Sequence, residues 1–199
     1  MVEARICSAL LFPLLLTAVL AFSNEEEQEP TADIEKFLRE NKKVWVYHTT
    51  EPSKVTCRLD EYINVNISHA RFSRYFVDNA RKEEKNLIGK FLDWEGGVPP
   101  LQGKYDAMEI NDIEKPMDYP LSYDVYEFQG KDGKCAVVAV IDNSAGTTET
   151  WLDLRVSDSV IEEGPAQDCK AQFERILRIY PERKRVSRKS YESQCKNWF

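Results

Sequence analysis

Between Lys43 and Asp158 apolar side chains recur mostly at every second position, and turn residues break the pattern at short intervals. The segments "VWVYHTT", "KVTCRLDEYINVNIS" and "ARFSRYFVD" are rich in β-branched and aromatic residues. So are "NLIGKFLDW", "GKYDAMEI", "YPLSYDVYEF", "KCAVVAVID" and "TETWLDLRVSD". Asp78-Asn79, the run from Gly96 to Pro100, Gly130 to Gly133 and Asp142 to Gly146 supply the chemistry of chain reversal. Alternation sends every second side chain to the same face, so these segments pair as strands with a buried side. About eight short strands punctuated in this way predict an antiparallel sandwich or closed barrel. A parallel sheet would need long crossovers between the strands, and the turns are too short for them.

Helical spacing occurs only at the two ends. "TADIEKFLREN" puts Ile34, Phe37 and Leu38 on one stripe, with Pro30 ahead, Thr31 as a cap, and Asp33 and Glu35 near the positive end. "GPAQDCKAQFERILRIYPE" puts Cys169, Phe173, Ile176, Leu177 and Tyr180 on one face, with Pro165 in the first turn and Pro181 as the stop. The predicted order is helix, strands, helix and a basic tail that Cys195 would tie down.

Ahead of this domain, "MVEARICSALLFPLLLTAVLAFS" places Arg5 before an apolar run from Ile6 to Phe22 and ends on small residues. That is the pattern of a signal peptide over 1–23. Pro13 interrupts the run, which is short for a bilayer span of roughly 20 residues, so a retained anchor fits less well. Residues 24–30 read as an acidic flexible N-terminus and 31–199 as a single domain. Cys7 departs with the leader, leaving Cys57, Cys135, Cys169 and Cys195. An even number in an oxidising compartment implies two disulfides, with three possible pairings. Asn66-Ile67-Ser68 is an acceptor sequon for glycosylation. These features predict a secreted, extracellular protein.

The formal net charge of −7 argues against nucleic acid or an anionic membrane as partner. Enzyme signatures are missing. There are two histidines, His48 and His69, and no Gly-x-Ser-x-Gly, His-Glu-x-x-His or phosphate-cradling glycine loop. The sequence therefore predicts no catalytic residues, no metal ligands and no cofactor.

Aromatics such as Trp45, Tyr62, Tyr123 and Trp151 fall on or beside the strands. They fit either a packed core or the wall of a cavity, since an eight-strand barrel can hold one small ligand. "TWLDLRVSDS" poses the same choice. Asp153 and Arg155 share a face with Trp151, and Leu152, Leu154 and Val156 take the other. Either the leucines face inward and the charges meet water, or the leucines lie under the C-terminal helix and the charges enter the lumen. A buried charge is costly unless it is paired or used.

The run "KCAVVAV…TWLDLRVSDSVIEEGPAQDC" resembles the C-terminal half of tick salivary lipocalins, the histamine-binding family. The likeness extends over the N-terminal helix followed by Trp45, over Cys57, the Cys135 strand, the "EEGP…C" start of the second helix and the terminal cysteine. It implies an eight-stranded antiparallel lipocalin (calycin-like) barrel with N-terminal and C-terminal helices. It also implies the pairs Cys135–Cys169 and Cys57–Cys195, and it puts Asp153 and Arg155 inside the cavity. Amine-binding members carry Cys-Asp-aliphatic and then Glu-Leu-Trp or Glu-Leu-Tyr. Here the matching residues are Cys135-Ala136-Val137 and Asp153-Leu154-Arg155, so one acid is missing and an aromatic is replaced by a cation.

What the resemblance implies is a protein that sequesters a small host mediator and suppresses inflammatory defence. The mediator would be a biogenic amine, histamine or serotonin, with Asp153, Arg155, Trp45, Tyr123 and Trp151 as ligand-binding residues. Two alternatives stand beside it. A fatty acid or eicosanoid could be held by Arg155, or loops could inhibit a complement or coagulation protein.

Overall fold

The computed structural model describes residues 32–94, 96, 103–179 and 186–199. The leader 1–23, the acidic stretch 24–30, the turn residues 97–100, and Thr31, Tyr180 and Pro181 lie outside these residues.

The alternating segments form strands β1 (Lys43–Thr49), β2 (Thr56–Val65), β3 (His69–Asp78), β4 (Arg81–Leu92), β5 (Ala107–Asp112), β6 (Ser122–Gln129), β7 (Cys135–Asp142) and β8 (Glu149–Ser157). Each pairs antiparallel with the next, and β1 pairs with both β8 and β2. The sheet therefore closes on itself as an eight-stranded barrel, which leaves no open edge between first and last strand. A two-residue strand, β9 (Arg188–Lys189), lies against the second half of β1 through His48↔Lys189 and Thr49↔Arg188. The Cys57 amide donates to the Ser190 carbonyl at 2.9 Å, so the tail is wedged between β1 and β2 where those strands part.

One end of the barrel is plugged. Helix α1 (Ile34–Glu40) buries Ile34, Phe37 and Leu38 against lumen side chains, and the Phe37 ring meets Tyr126 edge-on at 5.8 Å. Its cap is Asp33 rather than Thr31: the Asp33 carboxylate accepts the Lys36 amide at 3.1 Å, so the helix begins at Ile34. Asp33→Ala is expected to cost about 1 kcal/mol of stability, read as a lower urea midpoint at unchanged slope.

The other helix, α2 (Gln167–Ile179), covers the outside of the barrel. Cys169, Phe173 and Ile176 pack on Leu152, Leu154 and Val156, and Leu177 is partly buried beside them. The disulfides are Cys57–Cys195 and Cys135–Cys169, the pairs that the resemblance implies. Because the leucines of β8 belong to this outer layer, the residues between them must point into the barrel.

Candidate ligand-binding site

Four strands present their inward side chains in parallel order from the plugged end towards the open end. On β2 the order is Tyr62, Asp60, Arg58, and on β3 it is Phe72, Arg74, Phe76. On β6 it is Tyr126, Asp124, Ser122, and on β8 it is Arg155, Asp153, Trp151. The lumen thus has an apolar floor over α1, a charged middle and a mixed mouth.

The charged middle is continuous. Arg74 makes a bidentate pair with Asp60 at 2.7 and 2.8 Å and reaches Asp124 at 3.3 Å. Arg155 Nη1 donates to Asp124 at 2.7 Å, and Arg155 Nη2 donates to Asp153 at 3.2 Å. The other Asp153 oxygen accepts from the Thr49 hydroxyl at 2.7 Å. Arg58 links Asp153, at 3.8 Å, to Glu51, and Arg188 stands 3.8 Å from Glu51 at the rim. Four acids alternate with four arginines, so the ladder carries no net formal charge. Asp124 and Asp153 are fully buried and Arg155 is 1% exposed. Only such pairing makes that many buried charges tolerable.

The two acids flanking Arg155 are driven apart. Burial alone raises a carboxyl, but Arg155 and then Arg74 outweigh it at Asp124, which sits below its ordinary value. At Asp153 burial prevails over Arg155 and Arg58, so its carboxyl is raised. Burial likewise pushes the Tyr126 phenol up to about 12.

Above the ladder lies a cavity of about 180 Å³ at the open end. The Trp151 and Phe76 rings, the Arg58 and Lys85 cations, Glu51 and Ser122 form much of its wall. Trp151 and Ser122 are 6% and 1% exposed, yet the indole Nε1 and the Ser122 hydroxyl make no hydrogen bond among the described residues. Buried polar atoms without partners are rare, and both residues belong to the cavity wall.

The expected residues divide. Asp153, Arg155 and Trp151 face the lumen, and of these only Trp151 borders the cavity. Trp45 and Tyr123 are corrections, because neither faces the lumen. Val44 and Val46 take the inward phase of β1, and Trp45 projects outward, donating to Asp158 at 2.8 Å and meeting Tyr191 edge-on at 5.1 Å. Ser122 and Asp124 take the inward phase of β6, and Tyr123 leans on Trp94 at 5.6 Å. Asn66 sits in the exposed β2–β3 turn near the plugged end, its carbonyl oxygen accepting the Ser68 and His69 amides at 2.9 and 2.8 Å.

Asp60, Arg74, Asp124, Arg58 and Lys85 were not singled out by sequence. For three of them the signal was a charge two positions from an aromatic in the same strand phase: Asp60 with Tyr62, Arg74 with Phe72, Asp124 with Tyr126.

No protein-family model and no curated protein matches the sequence. Solved structures do match the fold. AM182, solved in its serotonin complex, superposes with a TM-score of 0.56 at 13% identity over 83% of this chain and 93% of that one. The siderocalin Ex-FABP, described as having dual ligand specificities, gives 0.55 at 10% identity over 77% and 94%. Insecticyanin from the tobacco hornworm Manduca sexta gives 0.50 at 11% over 83% and 84%. The chain has the lipocalin fold.

Proposed function

From a lipocalin barrel with one open end, we propose that this protein binds and sequesters one small molecule in the mouth cavity, without chemical conversion. The observation that carries this is the cavity itself, walled by the Trp151 and Phe76 rings with the Arg58 and Lys85 cations and Glu51 beside them. The ladder beneath it fills the lumen, so the ligand stays at the mouth.

Size narrows the ligand. A cavity of about 180 Å³ is near the ~150 Å³ that accepts a benzene-sized molecule. It falls below the roughly 300–1,000 Å³ of pockets for drug-sized ligands. A single-ring mediator fits this volume better than a long-tailed lipid. Arg155 does not anchor such a lipid, because it lies below the cavity and is held by Asp124 and Asp153.

The apolar leader and the two disulfides support a secreted protein, which is expected as a monomer. The sequon in the exposed turn supports a glycan on Asn66, remote from the mouth. The sequence resemblance supports a tick-saliva role, the capture of a host mediator in inflammation. A biogenic amine is favoured by that resemblance and by the serotonin bound to AM182. Its ammonium would meet Glu51, which already pairs with Arg58, or Asp142, whose Oδ1 accepts from Ser144.

Titration calorimetry of the full protein with histamine, serotonin, arachidonate and a leukotriene tests this reading. Saturable one-to-one heat with histamine or serotonin, lost in Trp151→Ala, is the expected result. No heat with any of them would overturn it in favour of a loop-borne protein inhibitor.

A further inference from the structure

Small-ligand binding leaves the loop between β5 and β6 without a role. The chain departs from β5 at Asp112 and re-enters the barrel at Ser122, with Leu121 and Ser122 in the wall of the mouth cavity. Every residue from Ile113 to Tyr119 is exposed. Asp112 turns the chain by accepting the Glu114 and Lys115 amides at 2.8 and 2.9 Å. From Pro116 to Tyr119 the chain makes no hydrogen bond or ion pair among the described residues. Pro116 and Pro120 bracket this segment and keep it out of helix and strand. Lifting it off the surface breaks nothing that holds the barrel together.

Tyr119 stands at the end of that segment, 49% exposed and directly after Asp118. Glu114 adds a second exposed carboxylate to the loop, against one cation, Lys115. The chain has nine tyrosines, and only Tyr62 and Tyr119 directly follow an acid. Tyr62 is 2% exposed, sealed in the lumen with its ring 5.0 Å from Phe72. Its neighbour Glu61 takes the opposite face of β2 and meets Lys43 at 3.3 Å. An enzyme that acts on the folded chain can therefore reach one of the two.

Resting on the secreted reading, we infer that Tyr119 is a site of O-sulfation, modified as the folded chain passes along the secretory route. The phenol oxygen attacks the sulfur of an activated sulfate, a nucleotide phosphosulfate. The new O–S bond forms as the S–O bond to the nucleotide phosphate breaks. The phosphate leaves with that electron pair, and the phenolic proton passes to a base of the transferase. A transferase that binds a polyanionic nucleotide presents a cationic cleft, and the Asp118 and Glu114 carboxylates are drawn to it. The aryl sulfate keeps one negative charge throughout the physiological pH range. The loop beside the mouth thereby gains a fixed anion where it had a neutral phenol.

The test is the full chain secreted from cultured animal cells fed radioactive inorganic sulfate. After enzymatic removal of N-linked glycans, label is expected on the protein and only on the peptide that contains Tyr119. Tyr119→Phe should abolish it at unchanged secretion and melting temperature, because the hydroxyl makes no hydrogen bond among the described residues. Asp118→Asn should lower the label severalfold, whereas Glu61→Gln, beside the buried tyrosine, should leave it unchanged. Secreted protein without label, or label that survives in Tyr119→Phe, would overturn the inference. A group on Tyr119 that alkaline phosphatase removes would overturn it too, since that is a phosphate. Retention of the protein inside the cells would remove the secreted reading, and this inference with it.

Discussion

Arg155→Met is expected to lower the unfolding free energy by about 3–5 kcal/mol at neutral pH, because it leaves buried acids without their cation. Arg155 sits between Asp124 at 2.7 Å and Asp153 at 3.2 Å, with Asp60 at 3.8 Å, and all three acids are buried. Methionine fills much of the volume, so the loss is chiefly electrostatic. The pH dependence follows from the two shifts. Asp124 is held below its ordinary value, so its contribution is present above that value and fades as pH falls through the lowered one. Asp153 is raised by burial, so its ionisation costs stability at neutral pH and that cost is relieved as pH falls.

Without Arg155 both carboxyls move up, and both then favour the protonated folded state. The deficit of the variant should therefore shrink from about pH 7 to about pH 5. Urea denaturation across that range measures it. Equal midpoints at neutral pH, or a deficit that stays constant with pH, would refute a structural role for this arginine.

Removing the Cys57–Cys195 bridge by Cys57→Ala with Cys195→Ala is expected to be at least as damaging. The bridge spans 138 residues, and closing a loop of that length is worth about 5 kcal/mol in the chain-entropy account. The Cys135–Cys169 bridge spans 34 residues, for which the same account gives about 4 kcal/mol. The first bridge also holds the tail at the mouth, where Ser190 donates to the Tyr47 carbonyl at 2.9 Å and accepts the Cys57 amide. Amide exchange should rise first at Cys57 and Ser190 in that variant, whereas the Cys135→Ala/Cys169→Ala variant should spare them. Equal protection of these amides in both variants would show that the bridge does not pin β9.

Much of the architecture is legible in the residues. Period-two segments between turn residues lead to the antiparallel barrel, and the stripes Ile34-Phe37-Leu38 and Cys169-Phe173-Ile176 lead to the two helices. The first half of β4 is harder to read. Arg81 to Lys85 contains no apolar residue, because the β3–β4 hairpin extends beyond the core and its residues meet solvent. A stretch of charged residues, with Lys82 set over the Tyr75 and Phe199 rings, leaves no hydrophobic period. Asn79 and Ala80, with φ of 47° and 59°, make the two-residue turn that forces the pairing.

The candidate site divides along the same line. Sequence by itself determined the alternation, the two covering helices, and the fact that Trp151, Asp153 and Arg155 share one face of a strand. Local spacing suffices for that, since successive residues in a strand point in opposite directions. Tertiary structure alone decided which face is inside. Packing α2 on Leu152 and Leu154 sends Asp153 and Arg155 inward, and it leaves Trp45 and Tyr123 on the outer side of the barrel wall, Trp45 buried in the layer there. Partners from distant strands decided the rest. Asp60, Asp124 and Asp153 balance the charge of Arg155, and Lys85 lies in the cavity wall. Whether a buried charge holds the fold together or is free to meet a ligand depends on what stands within about 4 Å of it, and closure of the barrel sets those distances.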